Sequence, residues 1–516
     1  MANLFGTTAL TLIPTLAHAN PQGGQVAAGS ASIAQPSPSH VAITQTSEKA
    51  VINWHSFSIG ANEQTTFAQP NAQAIVLNRV VGVAPSKIMG ALKANGQVWL
   101  VNPNGVVFGK TARVDVAGLL ATTLDISDRN FMAGNYKFSG RGNAGAMVAN
   151  AGHITVSDAG LAALVAPGVE NSGVIMARLG KIQLASAAGF TVDLNGNGTF
   201  NFLLDKQATR QIVRADGTAP MAAITNTGSL IADGGTILLT ADAAKSVVDH
   251  AIDMQGYALA RSASLRGGTI VLDGGTDGTV QVSGTLDASG QGPGQSGGTI
   301  KVLGGMQNGA VAVSGILDAS APDGGDGGFI ETSAAHVKVA DTAKVTTTAP
   351  NGKTGAWLID PHDYTIASTS GDITGAALST QLASTNVTLI SSRGASGVNG
   401  DINVDDAINW SANTFTLTAA NNINVNAPMT ASGNASLALN PATANDADAA
   451  VGTGAIVTGL LVGRVDFSGT GTLTISGTPY IVINSLGVAG DTGTTTLQGM
   501  KNNVTGHYAL GSNIDA

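Results

Sequence analysis

The 516-residue chain contains no cysteine, so it forms no disulfide. Aromatic residues are only 4% and charged residues only 11% of the chain, which leaves few side chains large enough to fill a thick globular core. The net charge is −9, without clustered Lys or Arg, which argues against nucleic acid or an anionic membrane as partner because both require a basic face. No apolar run reaches the ~18 residues typical of a membrane-spanning helix.

Short apolar segments separated by turn residues fill most of the chain. Hydrophobic residues make up 43% and there are 68 glycines. Segments of Val, Ile, Leu and Thr alternate with Gly, Asn and Asp, as is typical of β-strands joined by tight turns. Helical periodicity is almost absent, and residues 87–94 and 241–248 are the best short helix candidates.

Internal repeats predict the architecture. The tetrapeptide Gly-Gly-Thr-Ile ends at Ile237, Ile270 and Ile300, and Gly-Gly-Phe-Ile ends at Ile330. A second repeat, Asn-x-Gly, begins at Asn150, Asn171 and Asn226. Repeats of about 30 residues with no helix bury an apolar face only by stacking. We therefore expect an all-β, right-handed parallel β-helix. A propeller or a set of sandwiches is the alternative, although propellers favour longer repeats and more aromatic residues.

Several motifs that resemble enzyme sites by spelling lack the required context. Residues 294–298 fit G-x-S-x-G and residues 292–297 fit G-x-G-x-x-G, but a strand rather than a helix is expected after them. Asp287 and Asp318 occupy equivalent repeat positions, and their shared Leu-Asp-Ala-Ser setting favours a repeated corner. Residues 323–328 favour a polar turn over a calcium loop. The eight dispersed His residues indicate no metal site, and nothing indicates a cofactor.

The tetrapeptide Asn102-Pro103-Asn104-Gly105 lies between two apolar segments, 98–101 and 106–109. Asn at the first position, Pro at the second and Gly at the fourth suit a type I turn. From the residues alone, this is a structural turn between two buried strands.

The surrounding segment resembles a known family. Residues 51–123 include VINWHSFSIG, FAQPNAQAIVLNRVVG, SKIMGALKANGQVWLVNPNGVVFG and ARVDVAGLLATT. In that order they are similar to the N-terminal secretion domain of the filamentous haemagglutinin family, the large exoproteins of bacterial two-partner secretion. The resemblance implies that Asn102, Pro103, Asn104 and Gly105 form the family's Asn-Pro-Asn-Gly turn, which stabilises the domain and supports secretion.

The resemblance also implies a partner and a location. In the family, the polypeptide-transport-associated domains of a dedicated outer-membrane transporter recognise the secretion domain in the periplasm. The chain then passes through the transporter of a Gram-negative bacterium and folds outside as a β-helix, secreted or surface-exposed. The resemblance does not identify a host receptor or glycan. The family's second motif, Asn-Pro-Asn-Leu, is lacking, and its nearest spelling is Gln69-Pro70-Asn71-Ala72.

Four regions are expected along the chain. Residues 1–19 resemble a signal peptide without a charged N-terminal part. Residues 20–215 form the β-helical secretion domain, 216–350 the regular Gly-rich coils, and 351–516 a further solenoid region that continues in a longer protein. The expected function is that of a non-enzymatic, adhesive exoprotein. The alternative is a secreted β-helix enzyme that cleaves polysaccharide, which requires converging carboxylates on one exposed face.

Overall fold

A computed structural model describes residues 19–140, 142–143, 145–194, 200–206, 218–241, 248–394, 398–442, 456–458 and 463–515. Nearly all regular structure in these residues is β-strand, which confirms the predicted all-β class. Two α-helices, Asp128–Ala133 and Gly375–Leu382, and a 3-10 helix, Gln498–Asn502, are the exceptions in this part of the chain. Neither α-helix is long and apolar enough to cross a membrane.

Three long sheets run along the molecule. The first sheet contains Gln25–Ala28, Lys49–Trp54, Ile75–Val80, Gln97–Val101, Gly118–Thr122, Leu161–Ala166, Lys181–Ser186, Thr236–Ala241, Thr269–Asp273, Thr299–Leu303, Phe329–Ser333, Ala356–Asp360, Asn386–Ile390, Thr414–Thr418, Ser436–Asn440, Leu473–Ile475, Thr478–Ile483 and Tyr508–Leu510. The second contains Ser86–Ile88, Val106–Phe108, Met147–Asn150, Gly168–Asn171, Ala222–Asn226, His250–Met254, Thr279–Val282, Ala310–Val313 and His336–Val339. The third contains Ala31–Ser37, His40–Gln45, Gln64–Ala68, Ala91–Ala94, Arg113–Val116, His153–Val156, Val174–Met176, Ser229–Ile231, Tyr257–Leu259, Thr285–Asp287, Ile316–Asp318 and Lys344–Thr346.

Successive strands visit the three sheets in turn. Gln97–Val101 lies in the first sheet, Val106–Phe108 in the second and Arg113–Val116 in the third, after which Gly118–Thr122 returns to the first. The returning strand pairs in parallel with the strand one coil earlier, with Leu120 beside Trp99. This coiling confirms the predicted parallel β-helix. Alternate side chains point inward and form one continuous apolar core.

The repeat predicted from Gly-Gly-x-Ile lies in register. Ile237, Ile270, Ile300 and Ile330 stack on consecutive coils and are fully buried. The second glycine of each pair stacks at the corner before the strand. A Cβ on Gly298 would lie 2.2 Å from the carbonyl oxygen of Gly268, so only glycine fits this approach.

The N-terminal end of the solenoid is covered by antiparallel strands. Gln25–Ala28 pairs antiparallel with Lys49–Trp54, and Ala31–Ser37 pairs antiparallel with His40–Gln45. These strands occupy hydrogen-bonding edges that would otherwise invite pairing with another chain.

A layer outside the coils covers part of the first sheet. It consists of the helix Asp128–Ala133 and an antiparallel outer sheet of Tyr136–Ser139, Gly189–Leu194 and Phe200–Lys206. Trp99 lies at its centre, with its ring centroid 4.8 Å from that of Tyr136 and 5.7 Å from that of Phe131. Because this layer covers the outward face, strands such as Leu161–Ala166 are buried on both sides and read as continuous apolar runs.

A junction interrupts two of the three long sheets after residue 346. Two shorter sheets replace them while the first sheet continues, and the helix Gly375–Leu382 lies after the first strand of the fourth sheet. The fourth sheet contains Tyr364–Ile366, Ile402–Val404, Ile423–Val425 and Ile456–Thr458, and the fifth contains Ile408–Trp410, Pro428–Ala431 and Arg464–Phe467.

The helix predicted over residues 87–94 is wrong. This segment contains the strands Ser86–Ile88 and Ala91–Ala94, joined at Met89 and Gly90. A Cβ on Gly90 would lie 2.2 Å from the carbonyl oxygens of Gly60 and Glu63, so the corner packs tightly on the preceding coil. Pairing with neighbouring coils outweighs the modest local helix preference. In the second candidate, 241–248, residues 242–247 lie outside the described part of the chain.

Candidate functional site: the Asn-Pro-Asn-Gly turn

The Asn-Pro-Asn-Gly turn, residues 102–105, forms the corner between the first and second sheets. It connects Gln97–Val101 to Val106–Phe108, and the Gly105 amide donates to the Asn102 carbonyl oxygen at 3.0 Å. This bond closes the four-residue turn that the sequence predicts. Gly105 adopts φ +109°, a conformation that other L-residues rarely adopt. The two strands belong to different sheets, so the turn is a corner of the coil rather than a hairpin.

Asn102 is fully buried and uses both ends of its side chain amide. Its Oδ1 accepts from the backbone amide of Asn104 at 2.9 Å and from Asn104 Nδ2 at 3.0 Å. Its Nδ2 donates to the carbonyl oxygen of Ala84 and to Ser86 Oγ, both at 3.0 Å. Asn102 therefore fixes the turn internally and also binds it to the preceding coil.

The other residues of the turn extend these connections. Asn104 Nδ2 donates to the Gly82 carbonyl oxygen at 2.9 Å on the preceding coil. On the following coil, the Asn143 amide donates to the Pro103 carbonyl oxygen at 2.7 Å, and Asn143 Nδ2 donates to Asn104 Oδ1. The turn thus connects three successive coils through hydrogen bonds that include side chains.

Residues 69–72, the nearest spelling to the missing second motif, form a turn at another corner. The Ala74 amide donates to Asn71 Oδ1 at 2.9 Å, and Asn71 Nδ2 donates to Glu48 Oε1 at 2.9 Å. Gln69 Nε2 donates to Gln45 Oε1 at 3.0 Å and to the Ala74 carbonyl oxygen at 3.1 Å. Glutamine and asparagine side chains therefore stabilise this corner too.

Arg79 binds the outer layer to the first sheet, a role that the sequence did not reveal. Its Nε lies 2.9 Å from Asp125 Oδ1 and its Nη1 lies 2.6 Å from Asp128 Oδ1. Nη1 also donates to Asn53 Oδ1 at 3.1 Å, and Nη2 donates to the Ile126 carbonyl oxygen. Burial alone lowers the pKa of Arg79, but the hydrogen bonds and charges of the two carboxylates outweigh it and raise the pKa.

The predicted Asn-x-Gly repeat forms an asparagine ladder inside the second sheet. Asn150 Nδ2 donates to Asn171 Oδ1 at 2.8 Å, and Asn171 Nδ2 donates to Asn226 Oδ1 at 2.7 Å. Asn226 Nδ2 ends the ladder at Met254 Sδ, 3.3 Å away. Each buried amide therefore finds its partner on an adjacent coil.

The motifs that resemble enzyme sites are corner elements. Asp287 and Asp318 pair in register, and each Oδ1 accepts from a backbone amide two residues later, of Ser289 and Ser320, at 2.9 Å. Ser296 of the G-x-S-x-G spelling accepts from the Asp326 amide at 3.1 Å, and a strand follows it. The predicted repeated corner at Asp287 and Asp318 and the predicted strand after the G-x-S-x-G spelling are confirmed. Among the described residues, no group of three or more His, Asp or Glu is placed to hold a metal ion.

A comparison with protein families decides the membership of the chain. The family described as the TPS secretion domain, the domain of two-partner secretion, matches residues 17–302, more than half of the chain. The chain belongs to the TPS secretion domain family. Membership implies a cognate outer-membrane transporter and export through the periplasm and outer membrane.

Two curated relatives of this TPS secretion domain are Heme/hemopexin-binding proteins of Haemophilus influenzae. One, from strain Rd, is 36% identical over 214 residues, which cover 40% of this chain and 23% of that protein. The other is 39% identical over 143 residues, which cover 27% of this chain and 15% of that protein. The chain thus spans less than a quarter of the length of these relatives.

A solved structure shares the fold. The crystal structure of the HMW1 secretion domain from Haemophilus influenzae is similar to this chain with a TM-score of 0.57 and 22% identity. The match covers 88% of this chain and 100% of the other. It supports the β-helical fold of the TPS secretion domain described above.

Proposed function

We propose that the N-terminal coils of this TPS secretion domain are the export signal of a two-partner secretion exoprotein. The polypeptide-transport-associated domains of its transporter bind this N-terminal segment in the periplasm, and the segment then nucleates β-helix folding outside the cell. The observation that carries the proposal is the Asn-Pro-Asn-Gly turn, whose buried Asn102 joins its own coil to the preceding one. Nothing in this role requires catalysis.

The coils beyond the secretion domain are proposed to form an adhesive stalk. We keep the expected division into residues 20–215, 216–350 and 351–516 as part of this proposal, although the family match extends to residue 302. One outward position of the stalk strands repeats threonine on three consecutive coils, in the ladder of Thr236, Thr269 and Thr299. A repeated ladder of this kind suits a regular stalk, exposed on the cell surface or released.

The names of the two relatives make haem or hemopexin a candidate ligand of the complete protein. The matched segments cover only 23% and 15% of those relatives, so most of each relative lies outside the similarity. We propose that any such binding lies on stalk coils or in chain outside these 516 residues. The polysaccharide-cleaving alternative is not favoured, because the aligned carboxylates Asp287 and Asp318 accept corner hydrogen bonds.

Secretion of variants tests the role of the turn. The 516-residue chain, placed behind a functional signal peptide, is expressed in a Gram-negative host with its cognate transporter. Asn102→Ala and Asn104→Ala are compared with Asn351→Ala, which changes an exposed asparagine in a distant turn. We expect the first two to reduce the secreted fraction several-fold and the control to secrete normally. Normal secretion of all three would contradict the role of the turn.

A further inference from the structure

The third sheet carries an apolar face on three consecutive coils. Its strands Val174–Met176, Ser229–Ile231 and Tyr257–Leu259 pair in parallel and in register. The middle residue of each strand is buried in the core, and the two flanking residues point outward. Five of these six outward residues are large and apolar, and together they form what we call the apolar face: Val174, Met176, Ile231, Tyr257 and Leu259.

The apolar face is open to solvent. Tyr257 is 54% exposed and Met176 is 38% exposed, while Val174, Ile231 and Leu259 are half-buried. The outer layer described above packs on the first sheet rather than on this one. A contiguous apolar patch on the surface of a folded protein typically marks a face that another molecule covers.

Two opposite charges lie on the same sheet, towards the N-terminus from the apolar face. Arg113 and Asp115 are the exposed outward residues of the strand Arg113–Val116. Because they are two residues apart on one strand, their Cα atoms are about 7 Å apart. Arg113 Nη1 donates to the Ala112 carbonyl oxygen at 2.9 Å and lies 3.2 Å from His153 Nδ1 on the next coil. One strand therefore presents a positive and a negative group side by side.

Two copies of the chain are complementary when a two-fold axis lies parallel to the solenoid, over the middle of the third sheet. This axis places each strand opposite the same strand of the other copy and exchanges the two outward positions. Arg113 of each copy then faces Asp115 of the other. On the apolar face, Val174 faces Met176 and Tyr257 faces Leu259. Opposite charges therefore meet at one end and apolar side chains meet at the centre of a self-complementary surface.

The antiparallel arrangement of two copies is less favourable. It requires a two-fold axis parallel to the strands, and centring the apolar faces on each other puts that axis over Ser229–Ile231. The strand three coils earlier, Arg113–Val116, then lies opposite the strand three coils later, Ile316–Asp318. Asp115 and Asp318 occupy the same outward column, so the two carboxylates face each other and repel.

We propose that the apolar face is the interface of a parallel, side-by-side dimer of this chain. The face exists only in folded coils, so the dimer forms after folding outside the cell. It is independent of the export signal, and its failure leaves the proposed function intact. Because a stable interface usually involves about 20–30 residues from each side, an interface of so few coils dissociates on dilution. In dilute solution the chain is a monomer, with Asp115 an ordinary exposed carboxylate.

Sedimentation velocity of the purified 516-residue chain over a range of concentrations tests the dimer. We expect the unaltered chain to shift from monomer to dimer as concentration rises. Tyr257→Glu and Met176→Glu are expected to weaken dimerisation about tenfold or more, because they place charge at the centre of the interface. Val83→Glu is the matched control, because Val83 is 93% exposed in the loop between the first and second sheets.

A charge exchange tests the parallel orientation. We expect Arg113→Asp alone to weaken the dimer, because a carboxylate then faces Asp115 of the other copy, and Asp115→Arg alone to weaken it for the corresponding reason. The double variant Arg113→Asp/Asp115→Arg is expected to restore the affinity, since the exchanged charges again meet their opposites. Circular dichroism and thermal unfolding of each variant in dilute solution are expected to match the unaltered chain, because exposed side chains contribute little to stability.

Three results would overturn the inference. The first is a chain that stays monomeric up to its highest soluble concentration, which would leave the apolar face to a different partner. The second is dimerisation of Tyr257→Glu as tight as that of Val83→Glu, which would place the interface on another face. The third is a double charge variant that dimerises no better than the single variants, which would exclude the parallel arrangement.

Discussion

Asn102 shows how much of the fold depends on one buried amide. Its side chain takes part in four hydrogen bonds, two within its own turn and two to the preceding coil. Since the residue is fully buried, truncation would leave the amide of Asn104 and the carbonyl oxygen of Ala84 without these partners. Truncation of Asn102 would therefore remove hydrogen bonds that stabilise two coils.

We predict that Asn102→Ala lowers the free energy of unfolding by about 2–4 kcal/mol, because buried hydrogen-bonding groups lose their partners. Urea unfolding followed by circular dichroism measures the change, and hydrogen exchange is expected to show faster exchange at Ser86 and Asn104. Asn351→Ala, at an exposed position, is the control and is expected to change stability by less than about 0.5 kcal/mol. An unchanged urea midpoint for Asn102→Ala would contradict the account of the turn.

Asp360 gives a prediction about pH. Burial, and then the nearby charge of Glu331, raise the pKa of Asp360 above its ordinary value of 3.8, against a smaller opposite effect of His362. The folded state therefore binds more protons than the unfolded state between pH 3.8 and the raised pKa, so stability falls as pH rises through that window. We predict that Asp360→Asn is more stable than the unaltered chain at pH 7 and that this advantage disappears below pH 3.8.

Thermal unfolding across pH 3 to 8 checks the Asp360 prediction. Asp115→Asn, at an exposed position, is the control for a change in net charge alone. A stability advantage of Asp360→Asn that persists unchanged at low pH would show that the raised pKa is not its cause.

At the residue scale, the sequence predicted the turn but not its partners. Asn, Pro and Gly at fixed positions specify a type I turn locally, and the turn is present at residues 102–105. The contacts to Ala84, Ser86 and Asn143 depend on which coil lies above or below, and local residue preferences do not carry that information. The contacts of Arg79 with Asp125 and Asp128 also join segments far apart in the sequence, so local residue preferences do not predict them.

At the scale of elements, the helix Gly375–Leu382 has an unusual task. Gln381 Oε1 accepts from the Val345 amide at 2.8 Å, and Gln381 Nε2 donates to the Ala343 carbonyl oxygen at 3.0 Å. The side chain amide therefore occupies hydrogen-bonding positions that a next strand would occupy on Lys344–Thr346. The third sheet ends there, and Gln381 of the helix, rather than a strand of another coil, forms these hydrogen bonds with its last strand.

We predict that Gln381→Leu costs about 2–4 kcal/mol, because the buried Val345 amide and Ala343 carbonyl group both lose their partner. Hydrogen exchange at Val345 and urea unfolding measure the effect. Thr380→Ala, one residue earlier on the exposed side of the helix, is the control and is expected to leave the exchange at Val345 unchanged. Slow exchange at Val345 in Gln381→Leu would show that another group closes the edge.

Strand elements were more predictable than helices. The spacing of Gly-Gly-x-Ile predicts the strand register because each coil repeats its neighbour. In the structure, Ile270 pairs with Ile300 and Ile300 pairs with Ile330. The helix Asp128–Ala133 was missed, although Ser127 caps its start and Gly134, with φ +81°, ends it. Those two residues are the signal that could have identified it. The helix Gly375–Leu382 begins after Thr374, which caps it in the same way.

At the scale of the whole molecule, the absence of cysteine and the low charge fit a chain that crosses a membrane through a transporter before it folds. In the proposed function, each coil that folds outside buries apolar surface, which contributes roughly 25 cal/mol per Å² and would favour outward movement. The N-terminal coils are positively charged and the remainder negatively charged. Residues 1–150 carry nine Lys and Arg against five Asp and Glu, a net charge of +4, and residues 151–516 carry 15 against 28, a net charge of −13.

The measurement that tests the central claim most directly is the fate of the full chain in cells with and without the cognate transporter. The chain is labelled briefly, and the protease-resistant fraction in the medium and on the cell surface is followed over time. The account predicts folded, β-rich protein outside the cell only when the transporter is present. Equal release without the transporter, or retention in the periplasm with it, would contradict the account.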